Sequence, residues 1–330
     1  MSKLKITTLV LLCVVSLNIR AGTTTNSNSG EIFKFKFEMN KPLVYAIEFK
    51  SRTVIDISGG NRNSLTRNST EMRYKIKLTA VSTNQDGTTT VHYEPFDFEE
   101  EIEIIGPSGR INTSTHGLDV VSKQNDIVVI DTAKGIGMSQ ARNVKLPIYP
   151  SLLSGYFYLD SVGNAKYLNG DLPFIDQWQD NLKYDVGFFH IIFPTNVISV
   201  RDSWTNNIVM KNVGGAFFTG DGITRPNVFT RELDSMAGTN STACFSLYES
   251  DINQNLGAYI EQGGQRTSVA IPECDESASA TFHFDQKLGR LIDMKKTEKS
   301  SNSMSIMVQG NSADSHNNLE LESSMTLVSP

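Results

Sequence analysis

The side chains that most often carry catalysis are scattered along this chain. The five histidines stand at positions 92, 116, 190, 283 and 316, and none of them belongs to a recognisable nucleophile motif. The sequence contains no Gly-x-Ser-x-Gly, His-Glu-x-x-His or Gly-x-Gly-x-x-Gly pattern. It therefore predicts no catalytic residue, no metal site and no cofactor. A hydrolase would need His116 or His283 to meet a carboxylate in space.

The densest charge is an acidic cluster. In an extended strand Glu99, Glu101 and Glu103 share one face, and Glu100 and Ile102 lie on the other. Like charges on one face must be solvated or neutralised, and a solvated edge strand is the simplest interpretation. Basic residues also recur at alternate positions, which favours cross-strand Lys–Glu pairs on one outward face over binding of an anionic polysaccharide or lipid headgroup. These residues are Lys34, Lys36, Lys50, Arg73, Lys75 and Lys77.

The chain has three cysteines, Cys13, Cys244 and Cys274. Cys13 belongs to the apolar N-terminal segment, so two cysteines would remain after export. The simplest interpretation of that pair is a disulfide between Cys244 and Cys274, and two buried thiols are the alternative. Closing a loop of that size would stabilise the fold by roughly 3 kcal/mol.

The first 21 residues predict a secretory signal peptide. Two lysines precede the apolar run Leu9–Val15, and a small residue follows at Ala21, where we expect cleavage. The run is shorter than the roughly 20 residues that span a membrane, so no transmembrane anchor is expected. A lipid anchor at Cys13 is disfavoured, because Leu12 stands where a lipoprotein needs a small residue. The predicted location is the periplasm, the cell surface or the medium.

The composition is that of a globular protein. Of 330 residues, 39% are hydrophobic and 20% are charged, which excludes collagen, coiled coil and wholesale disorder. Removing residues 1–21 takes away three basic residues and no acid, so the net charge changes from −6 to −9. This acidic balance argues against a nucleic-acid partner, because phosphate contacts need clustered Lys and Arg.

The body of the chain is patterned as strands. Apolar and polar residues alternate over 32–38, 43–50 and 72–80, the period-two pattern of a strand with one buried face. Asp86-Gly87 predicts a hairpin turn, and Pro95 predicts a bulge or an edge position. Further strands are expected at 126–132, 155–160, 164–168, 188–193, 206–212, 241–248, 279–285, 288–298, 303–309 and 319–328.

One short helix is predicted near the middle of the chain, at 172–187. Pro173 opens a segment in which Phe174, Trp178 and Leu182 recur every four residues, and a glycine follows as a stop.

Two similar hairpins lie on either side of this helix, each with an aromatic strand, an Asp and a nearby Gly, at 160–163 and 285–289. We therefore predict a mainly β fold made of two related halves of curved antiparallel sheet, half-barrel or sandwich-like, with a short connecting helix. The expected boundaries are a signal peptide at 1–21, a flexible tail at 22–30, a first β-rich half at 31–171, the connecting helix at 172–187 and a second β-rich half at 188–330.

The signal peptide, the doubled β-rich body, the Asp-x-x-Gly hairpins and the segments Phe193-Pro194 and Val200–Trp204 together resemble a family of exported bacterial proteins. Those proteins are known only as carriers of a domain of unknown function. Their second half opens with a proline-bearing turn and a Gly-Asp-x-Trp segment, and Arg201 stands here at the glycine position. The resemblance covers most of residues 31–330. It implies an envelope location and assigns no catalytic residue.

A wide apolar sheet face must be covered by the protein itself or by a bound molecule. A fully packed core is the simpler alternative. We predict an exported envelope protein that binds an apolar or amphipathic ligand such as a lipid; the residues expected to line the interior are Phe33, Phe35, Phe37, Tyr45, Ile47, Phe49, Tyr74 and Ile76. The alternative function is a structural module that contacts other envelope components without a small ligand, and an exported hydrolase is least favoured. Asn68, Asn112 and Asn240 stand in glycosylation triplets, which act only in a eukaryotic source.

Overall fold

A computed structural model describes residues 30–58, 63–117, 119–137, 154–170, 191–210, 212–213, 216–218, 223–232, 242–249, 256–262, 265–308 and 311–329. In these ranges the chain forms one open antiparallel sheet of 17 strands and no helix. The mainly β prediction is therefore confirmed. The predicted signal peptide, nearly all of the tail and the predicted helix at 172–187 lie outside the described residues.

The strands are β1 Leu43–Ser58, β2 Ser64–Thr83, β3 Thr89–Gly106, β4 Gly109–His116, β5 Asp119–Gln124, β6 Ile127–Asp131, β7 Gly155–Leu159, β8 Ala165–Gly170, β9 Ser203–Met210, β10 Asn212–Val213, β11 Ala216–Phe218, β12 Ile223–Arg231, β13 Thr242–Glu249, β14 Leu256–Gln262, β15 Gln265–Asp285, β16 Arg290–Val308 and β17 Asn311–Ser329.

The first and last strands meet in the middle of the sheet, where β1 pairs with β2 on one side and with β17 on the other. The sheet continues from β2 to β3 in one direction, and from β17 through β16 to β15 in the other. At their outer edges β3 pairs with β7 and β4, and β15 pairs with β13 and β14. Strands from both predicted halves thus belong to one continuous sheet, and the described residues show no division into two related halves.

Six strands are much longer than the others: β1, β2, β3, β15, β16 and β17. The hydrophobic core lies at one end of these six long strands, and we call this end the core end. Tyr45 and Ile47 on β1 are opposite Ile76 and Tyr74 on β2, and all four side chains are buried. They alternate with charged residues on β2 and with less buried residues on β1, and this period-two pattern is that of a strand with one inward face. The same inward face continues on β15 with Phe282, which is fully buried.

Residues 30–37 form an extended segment that crosses this core, which we call the N-terminal strap. The period-two pattern predicted a strand here, and the burial pattern follows it, with Phe33 and Phe35 buried between exposed lysines. Among the described strands, none forms a ladder with the strap. Its backbone instead makes a bridge with Ile198, and the amide N–H groups of Phe35 and Lys36 donate to carbonyls of two hairpin turns.

Those two turns are the Asp-x-x-Gly hairpins of the sequence. In the β7–β8 turn the Asp160 carboxylate accepts backbone N–H bonds from residues 162, 163 and 164. Gly163 has φ +107° and Gly289 of the β15–β16 turn has φ +64°, conformations that favour glycine. A Cβ on Gly163 would lie 2.2 Å from the Ile191 carbonyl oxygen, and one on Gly289 would lie 2.7 Å from the Lys34 carbonyl oxygen. Both glycines therefore let the turns close on the segments that fill the core.

The outward face of β1, β2 and β3 carries the predicted cross-strand ion pairs. The basic residues meet acids of neighbouring strands at 2.6–3.8 Å, in the pairs Lys77–Glu94, Lys75–Asp97, Lys50–Glu71 and Arg73–Glu48. Lys34 and Lys36 lie on the strap and are exposed. The pairing prediction is therefore confirmed for the four residues on strands.

Two further sequence predictions concern β3. The predicted bulge near Pro95 is present, because the β2–β3 register shifts beside it and Asp97 has φ +53°. The predicted edge position of the acidic cluster is wrong. Glu99, Glu101 and Glu103 do share the outward face, but their segment pairs with β2 on one side and β4 on the other.

The two cysteines of the predicted disulfide lie on strands that share β15. Cys244 on β13 is opposite His283 of β15, and Cys274 is nine residues from His283 on the same strand. At about 3.3 Å per residue this separation is about 30 Å, whereas bonded cysteines need Cα atoms within about 7 Å. This register is at odds with the predicted disulfide. Counting the reactive thiols of the mature chain, unfolded without a reductant, tests this point. Two reactive thiols would support the register, and no reactive thiol would support the Cys244–Cys274 disulfide.

Candidate functional site

The eight residues predicted to line a ligand cavity lie mostly in the packed core. Phe33, Tyr45 and Ile76 are 0% exposed, and Phe35, Ile47 and Tyr74 are also buried. Phe37 packs against the core from its margin, and Phe49 is half-buried one layer further along β1.

Aromatic rings occupy the space at this end of the sheet. The Phe33 ring lies 5.0 Å from Phe245 and 5.4 Å from Phe193, and the Phe35 ring lies 5.2 Å from Phe284. These are the separations of directly packed rings. The strap therefore fills the interior that a ligand was expected to fill.

A buried arginine fixes the start of the strap. Arg231 on β12 donates to the Glu31 carboxylate at 2.7 Å and to the Ile198 carbonyl at 2.7 Å. Its guanidinium also lies 5.0 Å from the centre of the Phe33 ring. A guanidinium can be buried when its charge is paired and its terminal N–H groups donate in this way. Sequence patterns did not point to Arg231, because its partners lie far away in the chain.

The segment that carries the family resemblance packs beside this anchor. Trp204 donates its indole N–H to the Ile192 carbonyl at 2.8 Å and stacks on Phe229 at 5.3 Å. Arg201 has φ +75°, so the position where the resembled proteins carry glycine is a left-handed one. These features are structural and bring no reactive groups together.

Beyond the core, the six long strands continue, and their inward face changes character. We call the inward positions beyond the core the distal inner face. On β1, β2, β3 and β17 it carries the buried acid Glu100, opposite Met72, and half-buried apolar side chains, namely Phe49, Met72, Ile102, Ile104, Leu319 and Leu321.

The register places this apolar set in a defined pattern. Phe49 is opposite Met72, and Leu321 and Leu319 are opposite Ser51 and Thr53 of β1. Thr70 of β2, another small hydroxyl residue, is opposite Ile102 of β3. The face therefore presents apolar groups on β3 and β17 with small hydroxyl groups between them.

On β16 the distal inner face is polar and buried. Lys296, Ser300 and Asn302 are each less than a tenth exposed. Lys296 Nζ lies 3.2 Å from the Glu298 carboxylate, and Asn302 accepts a hydrogen bond from Asn317 at 3.0 Å. The two charges of this layer therefore meet each other, and the buried amide of Asn302 has a partner.

Asn227 on β12 is at the same level as Glu298 in the register, with Glu249 of β13 and Ala278 of β15 between them. It shares the inward face with Phe229 and Arg231, and it is 0% exposed. Asn206 of β9 is directly opposite and donates to the Ile192 carbonyl at 2.9 Å. In the described part of the chain, neither side-chain polar atom of Asn227 has a hydrogen-bond partner. No sequence signal pointed to this residue.

Two histidines do meet carboxylates. His283 Nδ1 lies 2.7 Å from Asp293, and His116 Nδ1 lies 3.9 Å from Glu99. Both pairs are cross-strand neighbours on the outward, ion-paired face and are not enclosed in a cleft. Within the described ranges, no three His, Cys, Asp or Glu side chains come together as a metal site requires. Of the glycosylation candidates, Asn68 is on an inward and Asn112 on an outward position, and Asn240 lies outside the described residues.

Comparisons with known proteins give distant likenesses only. No family model and no curated protein sequence matches the chain. A lipovitellin structure that concerns lipid–protein interactions is 9% identical with a TM-score of 0.43, and the match covers 89% of this chain and 26% of lipovitellin. The chain thus spans about a quarter of that protein.

Two further solved structures match with lower TM-scores. The OccK7 (OpdD) structure from Pseudomonas aeruginosa is 8% identical with a TM-score of 0.14, covering 85% of this chain and 98% of that one. The CymD monoaromatic hydrocarbon channel is 8% identical with a TM-score of 0.15, covering 89% and 90%. These values assign neither a family nor a function. Among the described residues, no helix is long and apolar enough to cross a membrane.

Proposed function

We propose that the protein is an exported binding protein that holds an apolar or amphipathic ligand on the distal inner face. The observation that carries the proposal is the change of that face beyond the strap. At the core end aromatic rings fill the interior, whereas Leu319 and Leu321 further along remain only half-buried. Apolar side chains on an inward face that the core does not cover are typical of a ligand surface.

The mixture of groups favours an amphipathic ligand over a purely apolar one. Leucines and isoleucines on β3 and β17 would contact an acyl chain or ring. The buried polar layer at Lys296 and Glu298 would lie near its polar end, because burying polar atoms is favourable only when they find partners. The predicted signal peptide supports an envelope location, where such ligands occur.

Paired variants test this proposal on one strand. Leu321→Gln places an amide on the distal inner face, and Glu320→Gln changes the adjacent position on the outward face. We expect Leu321→Gln to weaken Nile red binding by about tenfold, since roughly 1.5 kcal/mol of apolar contact is lost. Glu320→Gln should leave it unchanged. Equal affinities for the two variants and the unaltered protein would overturn the proposal.

Native mass spectrometry of protein purified from its own source adds an independent test. A co-purifying small amphiphile is the expected result. A bare polypeptide mass together with no Nile red binding would favour the alternative, a structural module that acts through its ion-paired outward face.

A further inference from the structure

Asn227 is a buried amide whose two polar side-chain atoms are both unused by the described part of the fold. Its carboxamide is fully enclosed, and both of its polar atoms lack a hydrogen-bond partner among the described residues. A buried amide in this state destabilises the fold, and nearly all buried polar groups in native proteins are paired. Such a group points to a bound molecule that completes its hydrogen bonds.

The neighbours of Asn227 show what kind of group would fit. Phe229, two residues away on the same face, stacks on Trp204, so one side is aromatic. Asn206 lies opposite and its amide nitrogen is already engaged by a carbonyl. Lys296 and Glu298 of β16, which β13 and β15 separate from Asn227 in the sheet, form an ion pair with each other. The register also places an acid, Glu249 of β13, as the other cross-strand neighbour of Asn227, so an anionic headgroup would add a second negative charge at this position.

We propose that Asn227 recognises the headgroup of the ligand, and that this headgroup is neutral and carries a hydroxyl or an amide. The inference rests on the proposed function and specifies its ligand class. A carboxamide offers both a donor and an acceptor, and hydroxyl and amide groups match both. A carboxylate or phosphate could only accept, and burying its charge beside a neutral amide is costly. Because Asn227 is enclosed, the headgroup must enter the interior of the sheet, and slow association is expected.

Three probes that share the oleoyl chain separate headgroup from chain. These are monooleoylglycerol with hydroxyls, oleamide with an amide, and oleate with a carboxylate. Trp204 lies beside the site and reports binding by fluorescence once the other tryptophan is removed by Trp178→Phe. We expect the two neutral probes to bind about tenfold more tightly than oleate. The difference between monooleoylglycerol and oleamide identifies which neutral group is preferred.

The decisive variant is Asn227→Leu, which removes the amide and keeps the volume. It should weaken the two neutral probes by roughly threefold to tenfold, as expected for one lost hydrogen-bonding group, and leave oleate unchanged. Its melting temperature should not fall, because the partnerless amide is gone. Asn302→Leu is the matched control, since it removes a buried amide that already has a partner. That control should lower the melting temperature and keep the preference for neutral probes.

The outcomes distinguish the inference from the proposed function. A stable Asn227→Leu protein with unchanged affinity for all three probes would show that the amide is only structural and would overturn the inference. An equal loss for all three probes would overturn it as well, because the effect would not depend on the headgroup. If none of the probes binds the unaltered protein, the proposed function itself fails.

Discussion

Replacing Phe33 by alanine should remove the central contact of the N-terminal strap. The side chain is 0% exposed, and its ring packs on Phe193 and Phe245 at 5.4 and 5.0 Å. The Arg231 guanidinium lies over the same ring. The substitution would therefore leave a cavity inside a cluster of rings and remove one partner of a cation–π contact.

The magnitude follows from these contacts. Burial and cavity formation cost about 3–5 kcal/mol for a Phe→Ala change in a core. Lost ring–ring geometry adds about 0.5–1.5 kcal/mol. Together these contributions predict that the free energy of unfolding falls by about 3.5–6.5 kcal/mol. That change should move the urea midpoint by more than 1 M, for a denaturant slope of roughly 3 kcal/mol/M.

Urea unfolding followed by circular dichroism measures this change. Phe37→Ala is the matched control, because it removes the same side chain from the margin of the core, where it is only partly buried. It should lower the free energy of unfolding by about 1–2 kcal/mol, because the Phe37 side chain buries less apolar area. A Phe33→Ala loss below 1.5 kcal/mol (about the size of the control), or a loss no larger than that of Phe37→Ala, would refute a strap held by its buried rings.

Three smaller effects follow from local geometry. Gly163→Ala should destabilise the fold by about 3 kcal/mol, because its Cβ would lie 2.2 Å from a backbone oxygen and its φ is +107°. Gly87→Ala is the control, since Gly87 has a positive φ but open space around it, and it should cost only about 1 kcal/mol. Equal losses in urea unfolding would contradict the close approach at Gly163. Arg201→Gly should stabilise the fold by about 0.5–1 kcal/mol and so raise the melting temperature, because the φ of Arg201 is +75°. A lower melting temperature would mean that the arginine side chain is needed. The Lys77 hydrogen bond holds the pKa of the Glu94 carboxyl below its usual range, so this pair stabilises the fold above the ordinary Glu pKa of about 4.3 and loses that effect as pH falls through the lower folded value. An NMR titration should show the low pKa and its return toward the ordinary value in Lys77→Met, and an unchanged Glu94 titration would contradict the pairing.

Local sequence patterns predicted the core strands well. The alternation around Tyr45 and Ile76 identified inward residues correctly, and Asp86-Gly87 marked a turn in which Gly87 has φ +86°. The strap shows the limit of this reasoning. Periodicity tells which side chains are buried, but the hydrogen-bond partners of an extended segment lie elsewhere in the chain. The pattern therefore identified Phe33 and Phe35 as inward residues, but it did not show that they fill the interior.

The candidate site was harder to predict for a physical reason. Strand segments of the distal inner face, such as Ser64–Glu71 and Thr297–Val308, are rich in Ser, Thr and Asn on both faces, so apolar alternation is weak there. Asn227 lies in a strand that contains Pro226, and a proline argues against predicting a central strand from the sequence. Its burial depends on β9 and β13 on either side, and a single sequence does not reveal such neighbours.

The meeting of β1 with β17 constrains the order in which the protein can assemble. The strap and its anchor Arg231 contact each other across 200 residues, and Lys36 reaches Lys287 across 251. A chain synthesised from its N-terminus must therefore keep Phe33 and Phe35 uncommitted until almost all of it is available. Contacts of such long range form slowly and leave strand edges open meanwhile. The sheet should thus complete its folding only after β17 has been synthesised, and a chain cut before β17 should aggregate rather than fold in part.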